Sequence, residues 1–140
     1  MIIDSHSHLG SCRVFDLDTS EQELLSTMAN NGITTNIVQP YPGAPNVKEV
    51  HNRIGKLAKE NPGKIFGLAS LNPHMNEDEY NEEVERVVKD LGFVAVKIHT
   101  IGHAVNPLGR SADKVFKAAK KLGIPVMVHT GPGVPFSLPS

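Results

Sequence analysis

The sequence has little of what marks several large protein classes. It has a single cysteine, Cys12, which excludes an internal disulfide and is compatible with a reducing compartment. Its formal net charge is only -1, so it has no excess of basic residues for nucleic acid or an anionic membrane surface. No apolar run approaches the roughly 18 residues of a membrane span, and the amino terminus lacks the basic-then-apolar pattern of a signal peptide. These absences predict a cytoplasmic protein without nucleic-acid or membrane partners.

The length and composition of the chain are those of an ordinary globular domain. The chain has 140 residues, of which 39% are hydrophobic and 21% are charged, which is enough for one domain with a sizeable core. It also has seven histidines, and their positions are more informative than their number.

Short runs rich in Val and Ile alternate with longer segments of helical periodicity. The runs have the length and the turn-like borders of strands, and they cover residues 2–6, 33–39, 64–71, 93–99 and 124–129. Between them, apolar residues recur at helical spacing, which predicts four helices with one buried face each. The four stripes are Leu24, Leu25 and Met28; Val47, Val50, Ile54, Leu57 and Ala58; Tyr80, Val84, Val87, Val88 and Leu91; and Val115, Ala118, Ala119 and Leu122.

The residues around the predicted helix ends agree with this assignment. Thr19 or Ser20 precedes the first helix, and Glu23 is placed to complete a capping box. Glycines follow the ends of three helices, where a left-handed residue is favoured; they are Gly32, Gly92 and Gly123.

The repeated β-α order predicts an α/β fold. Nearly all-apolar strands alternating with helices favour a parallel sheet joined by right-handed crossovers, here with about five strands and four helices. No linker or low-complexity tract divides the chain, so we expect one domain over residues 1–140. The last ten residues, GPGVPFSLPS, follow the fifth strand, and no helix is expected in them.

The first predicted strand ends in an unusual pair of histidines, in the stretch DSHSH. Side chains alternate along a strand, so Asp4, His6 and His8 share one face if the chain stays extended through Ser7. An imidazole that faces into a layer of strands is costly unless a partner satisfies it. We therefore interpret His6 and His8 as paired metal ligands, with Asp4 orienting a ligand or bracing the strand.

Two later strands also end in polar residues. On the fourth predicted strand, Lys97 and His99 lie opposite the apolar residues that would pack under the helices, and on the fifth, His129 shares a face with Met127. The carboxyl ends of parallel strands are where ligands bind in α/β proteins. A third imidazole there would leave the fourth corner of a tetrahedral site for water, whose pKa would fall from about 15.7 to about 7.

Three stretches together resemble the amidohydrolase superfamily: IIDSHSH on the first strand, VAVKIHT on the fourth and IPVMVHTG on the fifth. The most similar branch contains small-carboxylate decarboxylases and hydrolases related to aminocarboxymuconate semialdehyde decarboxylase. The resemblance implies a TIM-barrel-like (β/α)8 fold in which His6, His8 and His129 bind the metal. It also implies a histidine on the sixth strand and a proton-handling aspartate on the eighth, which have no counterpart in this sequence. We therefore expect an incomplete, N-terminal half of the barrel, because a full one takes about 250 residues.

The resemblance leaves the roles of Lys97 and His99 open, and we regard both as candidate catalytic residues. Lys97 would either bind a substrate anion, serve the structure, or be carboxylated and bridge two metals as in other branches. His99 would bind a substrate carboxylate or hydrogen-bond within the barrel mouth. The main general base is expected in the missing half.

Other polar residues have simpler interpretations. Of the remaining histidines, His51 is expected on a helix surface and His103 in solvent. His74 is expected in a turn on the ligand-facing rim, with contact to the substrate as an alternative. Arg110 is expected to cap a helix or to be solvated, and Cys12 to be a packed small residue.

The favoured function is metal-dependent hydrolysis of a small carboxylate, amide or ester by an activated water. A decarboxylase on the same site is an alternative, as is a non-catalytic half-barrel stabilised by self-association. Metal-dependent phosphoesterases and nucleases also begin with Asp-x-His-x-His, but no strand glutamate stands where their bridging ligand is wanted. The metal is expected to be zinc, with Mn, Fe or Co as alternatives, and the unpaired fifth strand predicts a homo-oligomer.

Overall fold

The structure, a computed structural model, describes residues 1–12 and 16–130, and the final segment GPGVPFSLPS lies outside that part. The described residues form six strands and four helices. In chain order these are β1 (Ile3–Cys12), β2 (Leu17–Thr19), α1 (Glu21–Asn30), β3 (Thr35–Pro40), α2 (Val47–Glu60), β4 (Ile65–Ala69), α3 (Glu77–Lys89), β5 (Ala95–Ile98), α4 (Arg110–Leu122) and β6 (Val126–Val128). Within these ranges no helix has the length and apolar character needed to cross a membrane.

The strands form one sheet in the order β2-β1-β3-β4-β5-β6. The pairs β1–β3, β3–β4, β4–β5 and β5–β6 are parallel, so the five predicted strands and their orientation are confirmed. The sequence interpretation missed β2, which pairs antiparallel with the end of β1. Gly10 pairs with Thr19 at one end of this ladder, and Cys12 pairs with Leu17 at the other. Three residues are too few to show a periodicity, so only the pairing reveals this strand.

The predicted helix boundaries are confirmed by their caps. Ser20 caps α1: its hydroxyl accepts from the Glu23 backbone N–H, and the Glu23 carboxylate accepts from the Ser20 backbone N–H. Gly32, Gly92 and Gly123 all have positive φ, the conformation that glycine adopts at least cost.

The strand register divides the sheet into a helix-covered face and an open face. Strand residues paired side by side point the same way. One face has the buried core residues Leu9, Val38, Ile65, Val96 and Ile98, which pack with the apolar stripes of the helices. On the open face, the strands present both apolar and polar residues; these are Ile3, His8, Ile37, Gln39, Phe66, Lys97 and Met127. Since Ile3 is 54% exposed there, the described helices cover one side of the sheet only.

A bulge in β1 changes the expected alternation of its side chains. Asp4 pairs with Asn36 and Ser7 pairs with Val38, so one extra residue lies between them on β1. Asp4 therefore shares the helix-covered face with Ser7 instead of lying beside His8, and the expectation that Asp4, His6 and His8 share a face is wrong. The Asp4 carboxylate accepts from the His6 backbone N–H at 2.9 Å and from the Ser7 hydroxyl at 2.9 Å. Its role is thus to brace the bulge that presents His6.

Candidate metal centre

The carboxyl ends of β1, β5 and β6 bring the predicted site residues to one edge of the sheet. The rings of His6 and His8 lie 5.1 Å apart, measured between centroids. Lys97 Nζ is 3.4 Å from His6 Nε2. The rings of His99 and His129 stack at 4.4 Å, tilted by only 12°. Sequence positions up to 123 residues apart thus meet at this edge.

Two contacts orient the ring of His8, one at Nδ1 and one on the face of the ring. Its Nδ1 lies 3.2 Å from the Pro40 carbonyl oxygen, which can only accept, so Nδ1 holds the proton and Nε2 offers a lone pair. Tyr41 stacks on the ring at 4.5 Å. The Tyr41 hydroxyl in turn lies 2.9 Å from Thr19 Oγ1, on the short strand β2. Burial lowers the pKa of His8 to about 4, so the ring is neutral near pH 7 and able to bind a metal.

The ring of His6 also offers a lone pair toward the open face. A lysine ammonium donates only, so in the 3.4 Å contact with Lys97 the nitrogen that accepts is His6 Nε2. Desolvation, the Lys97 cation and His129 lower the pKa of His6. His6 is therefore a second neutral imidazole beside His8.

Lys97 is a buried cation, with 1% of its surface exposed. Burial lowers the pKa of its ammonium group. Within the described residues no carboxylate forms an ion pair with it, and the His6 contact is its hydrogen bond there. A buried positive charge without an internal counter-ion favours an anion from outside.

His99 presents the opposite ring nitrogen from His8. Its Nδ1 accepts from the Gly102 backbone N–H at 2.9 Å, so in the neutral ring the proton is on Nε2. Burial and the neighbouring histidines and lysine lower the pKa of His99 to about 4. His99 is thus a hydrogen-bond donor at this edge, which suits contact with a substrate oxygen better than metal ligation.

His129 is held through its backbone. Its N–H donates to the Ile98 carbonyl at 2.9 Å, and its own carbonyl accepts from the Thr100 hydroxyl at 2.9 Å. In the part of the chain that the structure describes, no hydrogen bond occupies the ring nitrogens of His129. Its ring stacks on His99 and is near enough to lower the pKa of both His6 and His8.

The donor chemistry at this edge fits a divalent metal in part. His6 and His8 are adjacent neutral imidazoles; the Nε2 lone pair of His8 has no partner among the described residues, whereas that of His6 accepts from Lys97 Nζ and would have to exchange that contact for a metal. His8 also has the backbone partner on its other nitrogen that metal-binding histidines usually have. Across residues 1–12 and 16–130, however, no three His, Cys, Asp or Glu side chains already converge as a metal would require. The structure brings together one pair of candidate ligands and places His129 against His99.

The other histidines differ from expectation in two cases. His51, expected at the surface, is fully buried: its Nδ1 lies 2.8 Å from Glu83 Oε1, and its Nε2 accepts from the Ser70 backbone N–H at 3.4 Å. The helical stripe could not reveal this, because the partners come from α3 and from the end of β4. His103, expected in solvent, is half-buried, and burial lowers its pKa to about 4.

The remaining expectations about polar residues are confirmed. His74 is exposed on the rim, with both ring nitrogens in contact with polar atoms, the Ala104 carbonyl and the Ser111 hydroxyl. Arg110 is exposed at the start of α4, and Cys12 is buried.

Sequence reasoning missed the residues that support the site. Tyr41 and Pro40 hold the His8 ring, and Thr19 holds Tyr41. Pro40 and Tyr41 directly follow the predicted strand 33–39 and so belong to the same sheet edge, which is the signal that could have identified them.

Parallel strands that each lead into a helix, with polar side chains at their carboxyl edge, are typical of TIM-barrel proteins, whose active sites lie at that edge. Within this class, the chain belongs to the amidohydrolase family: the family model described as Amidohydrolase matches residues 14–138. The matched range includes Lys97, His99 and His129 and begins after His6 and His8.

Solved structures with this fold include proteins of different activities. A Staphylococcus aureus protein provisionally described as an amidohydrolase has a TM-score of 0.72 at 19% identity, over 96% of this chain and 48% of its own. The 5-carboxyvanillate decarboxylase of Novosphingobium aromaticivorans, complexed with manganese and 4-hydroxy-3-methoxy-5-nitrobenzoic acid, has a TM-score of 0.70 at 13% identity, over 92% and 50%. A probable 2-pyrone-4,6-dicarboxylic acid hydrolase of Acinetobacter baumannii, with citric acid bound, has a TM-score of 0.63 at 16% identity, over 92% and 49%.

This chain spans about half the length of those structures. At such identities the likeness shows the fold alone, which confirms the TIM-barrel-like α/β class. A comparison with curated proteins finds no match.

Proposed function

We propose that this chain forms the N-terminal half of a metal-dependent enzyme that acts on a small carboxylate, with His6, His8 and His129 as metal ligands. The observation that supports the proposal most directly is the pair of neutral imidazoles at the edge, 5.1 Å apart, one of them oriented by the Pro40 carbonyl. The favoured reaction is hydrolysis of an amide or ester bond.

The protonation state of each residue at this edge determines the role that we assign to it. His6 and His8 offer lone pairs, His99 offers an N–H donor, and Lys97 offers a buried positive charge. Lys97 would pair with a substrate carboxylate, and the Nε2–H of His99 would donate to a second substrate oxygen. A bound divalent metal supplies Lewis acidity, which makes water nucleophilic near neutral pH.

Metal content tests the ligand set. Purified protein is incubated with equal concentrations of zinc and manganese, desalted, and analysed by mass spectrometry for both metals. We expect about one metal per chain in the wild type, and a clearly lower metal content for His6→Ala, His8→Ala and His129→Ala, because each would lose one of three protein ligands. The competition also identifies the preferred metal, which we expect to be zinc.

His74→Ala is the matched control, because His74 lies on the same rim and both its ring nitrogens already have partners. It should retain the wild-type metal content. If His6→Ala and His8→Ala retained it as well, the proposed centre would be wrong.

A decarboxylase on the same site is the second candidate. The uncompensated Lys97 charge favours a carboxylate ligand, and the Novosphingobium structure shows that this fold also occurs in a decarboxylase. Release of carbon dioxide from aromatic carboxylic acids, measured beside hydrolysis of their esters and amides, separates the two reactions.

A further inference from the structure

His74 and Ser111 form a hydrogen-bonded pair that uses none of the residues of the candidate metal centre. The Ser111 hydroxyl lies 3.2 Å from His74 Nδ1, and His74 Nε2 lies 3.4 Å from the Ala104 carbonyl oxygen. A carbonyl can only accept, so Nε2 carries the proton and the lone pair of Nδ1 accepts from the Ser111 hydroxyl. The three groups therefore have the order of a nucleophile, its base and a group that orients the base.

Three separate segments of the chain hold these groups together. His74 follows β4, Ala104 belongs to the loop after β5, and Ser111 lies in the first turn of α4. The His74 backbone N–H donates to Asn72 Oδ1 at 2.9 Å. Ala104 has a φ of 50°, an uncommon conformation for alanine, and its N–H donates to the Ile101 carbonyl at 3.1 Å. Contacts within each loop thus fix both the base and the carbonyl that orients it.

The start of α4 supplies unused backbone N–H groups at Ser111 itself. The residue before the helix, Gly109, has no side chain to cap it, and in the part of the chain that the structure describes no hydrogen bond uses the backbone N–H of Arg110 or Ser111. The backbone N–H of a nucleophilic serine is a usual donor to the oxyanion that forms during acyl transfer. Ser111 is partly exposed and His74 is exposed, so a small reagent can reach both.

We propose that Ser111 is a nucleophile activated by His74, and that it accepts the acyl group of a small carboxylic ester without a metal. Ser111 Oγ forms a bond to the ester carbonyl carbon, and its proton passes to His74 Nδ1. The bond from that carbon to the leaving alcohol oxygen then breaks, and the alcohol takes the proton from Nδ1. Water repeats both steps on the acyl-serine and releases the carboxylic acid.

Covalent labelling with a fluorophosphonate tests the nucleophile, because a serine that displaces fluoride from phosphorus keeps the phosphonyl group. The protein is labelled in the presence of a metal chelator, digested, and analysed by peptide mass spectrometry at several times. Since a positioned base contributes about 100-fold or more, Ser111 should be labelled at least about 100-fold faster than a serine without one.

Ser20 is the control in the same sample. Its hydroxyl is also partly exposed at the start of a helix, but it donates to the Glu23 carboxylate at 2.7 Å. Hydrogen bonds from the backbone and side chain of Ser20 lower the pKa of Glu23, so this carboxylate is a much weaker base than an imidazole. Labelling of Ser111 and Ser20 at equal rates would overturn the inference.

His74→Gln tests the base. The glutamine amide can hydrogen-bond the Ser111 hydroxyl but cannot take its proton, so labelling of Ser111 should fall about 100-fold or more. The circular dichroism spectrum and the urea midpoint should remain those of the wild type. Undiminished labelling of Ser111 in the folded variant would show that the His74 contact is only structural.

Hydrolysis of 4-nitrophenyl acetate in the same chelator tests the acyl step. The wild type should release 4-nitrophenolate faster than Ser111→Ala, and equal rates would contradict acyl transfer to this serine. Since none of these residues is a proposed metal ligand, either failure leaves the proposed metal centre standing. A wild-type protein that binds no metal would contradict the proposed function and leave the reactivity of Ser111 standing.

Discussion

Which ring nitrogen carries the proton determines what each histidine of the candidate site can do. His8 and His99 have the same side chain and similar burial-lowered pKa values, yet a carbonyl faces Nδ1 of His8 and an N–H faces Nδ1 of His99. The first ring is left with a lone pair and the second with a proton. Residue type alone therefore does not separate a metal ligand from a hydrogen-bond donor; the neighbouring backbone group does.

Tyr41 offers a test of how far the His8 ring depends on its support. Tyr41→Ala removes the stacked ring and should weaken metal binding about 10- to 100-fold, the usual cost of losing a group that orients a ligand. Tyr41→Phe keeps the stacking and removes only the contact with Thr19, so it should lose much less. Metal titration with a competing chelator measures both variants. Equal affinity of Tyr41→Ala and wild type would show that the Pro40 carbonyl is sufficient to orient His8.

Among the structural elements, α2, α3 and β4 are joined by one buried histidine. The Nε2 of His51 accepts from the Ser70 N–H, so its Nδ1 is protonated and donates to Glu83. Burial alone would raise the pKa of Glu83, but the hydrogen bonds from Arg86 and His51 outweigh it and lower the pKa to about 2. The carboxylate is thus ionised and satisfied on both oxygens.

His51→Leu should destabilise the fold by about 2–4 kcal/mol, because the Glu83 carboxylate and the Ser70 N–H would each lose a hydrogen-bond partner in the interior. The free energy of unfolding in urea measures this loss. His74→Leu, at an exposed position, should change that free energy by less than about 0.5 kcal/mol. Comparable small losses in both variants would contradict a structural role for His51.

The same histidine predicts a pH dependence. Burial lowers the pKa of His51 below its ordinary value of 6.5, so below that pH the unfolded chain binds a proton that the folded chain does not. Protonation of His51 in the unfolded chain therefore lowers the free energy of unfolding as the pH falls from 7.5 to 5.5. His51→Leu should show a shallower decline in unfolding free energy over this range than the wild type, and an equal slope would show that another group is responsible.

For the molecule as a whole, the open face of the sheet is the main feature. Among the described elements β6 pairs only with β5, and the face opposite the helices exposes Ile3. An unpaired strand and an exposed apolar side chain on the uncovered face both favour association. We expect this chain to self-associate, as the sequence interpretation predicts.

Sedimentation between about 1 and 100 µM tests this expectation. The wild type should be dimeric or larger at low micromolar concentration, and Ile3→Lys, on the open face, should shift it toward the monomer by placing a charge in the contact. Phe116→Lys is the control, since Phe116 is similarly exposed (41% against 54%) but lies on helix α4. A wild-type protein that is monomeric throughout would contradict the expectation.

Local patterns in the sequence were sufficient for the parallel strands, the four helices, the Ser20 cap and the placing of His6, His8, Lys97, His99 and His129 at one sheet edge. These follow from alternation, helical spacing and the rule that parallel strands end together, all of which depend on near neighbours in the chain. Tertiary structure alone decided the β1 bulge, strand β2, the burial of His51, and which nitrogen each ring presents. Most of these depend on a partner distant in the chain, such as Pro40 for His8 or Glu83 for His51, each 32 residues away, and distant pairing leaves no periodic trace in a sequence.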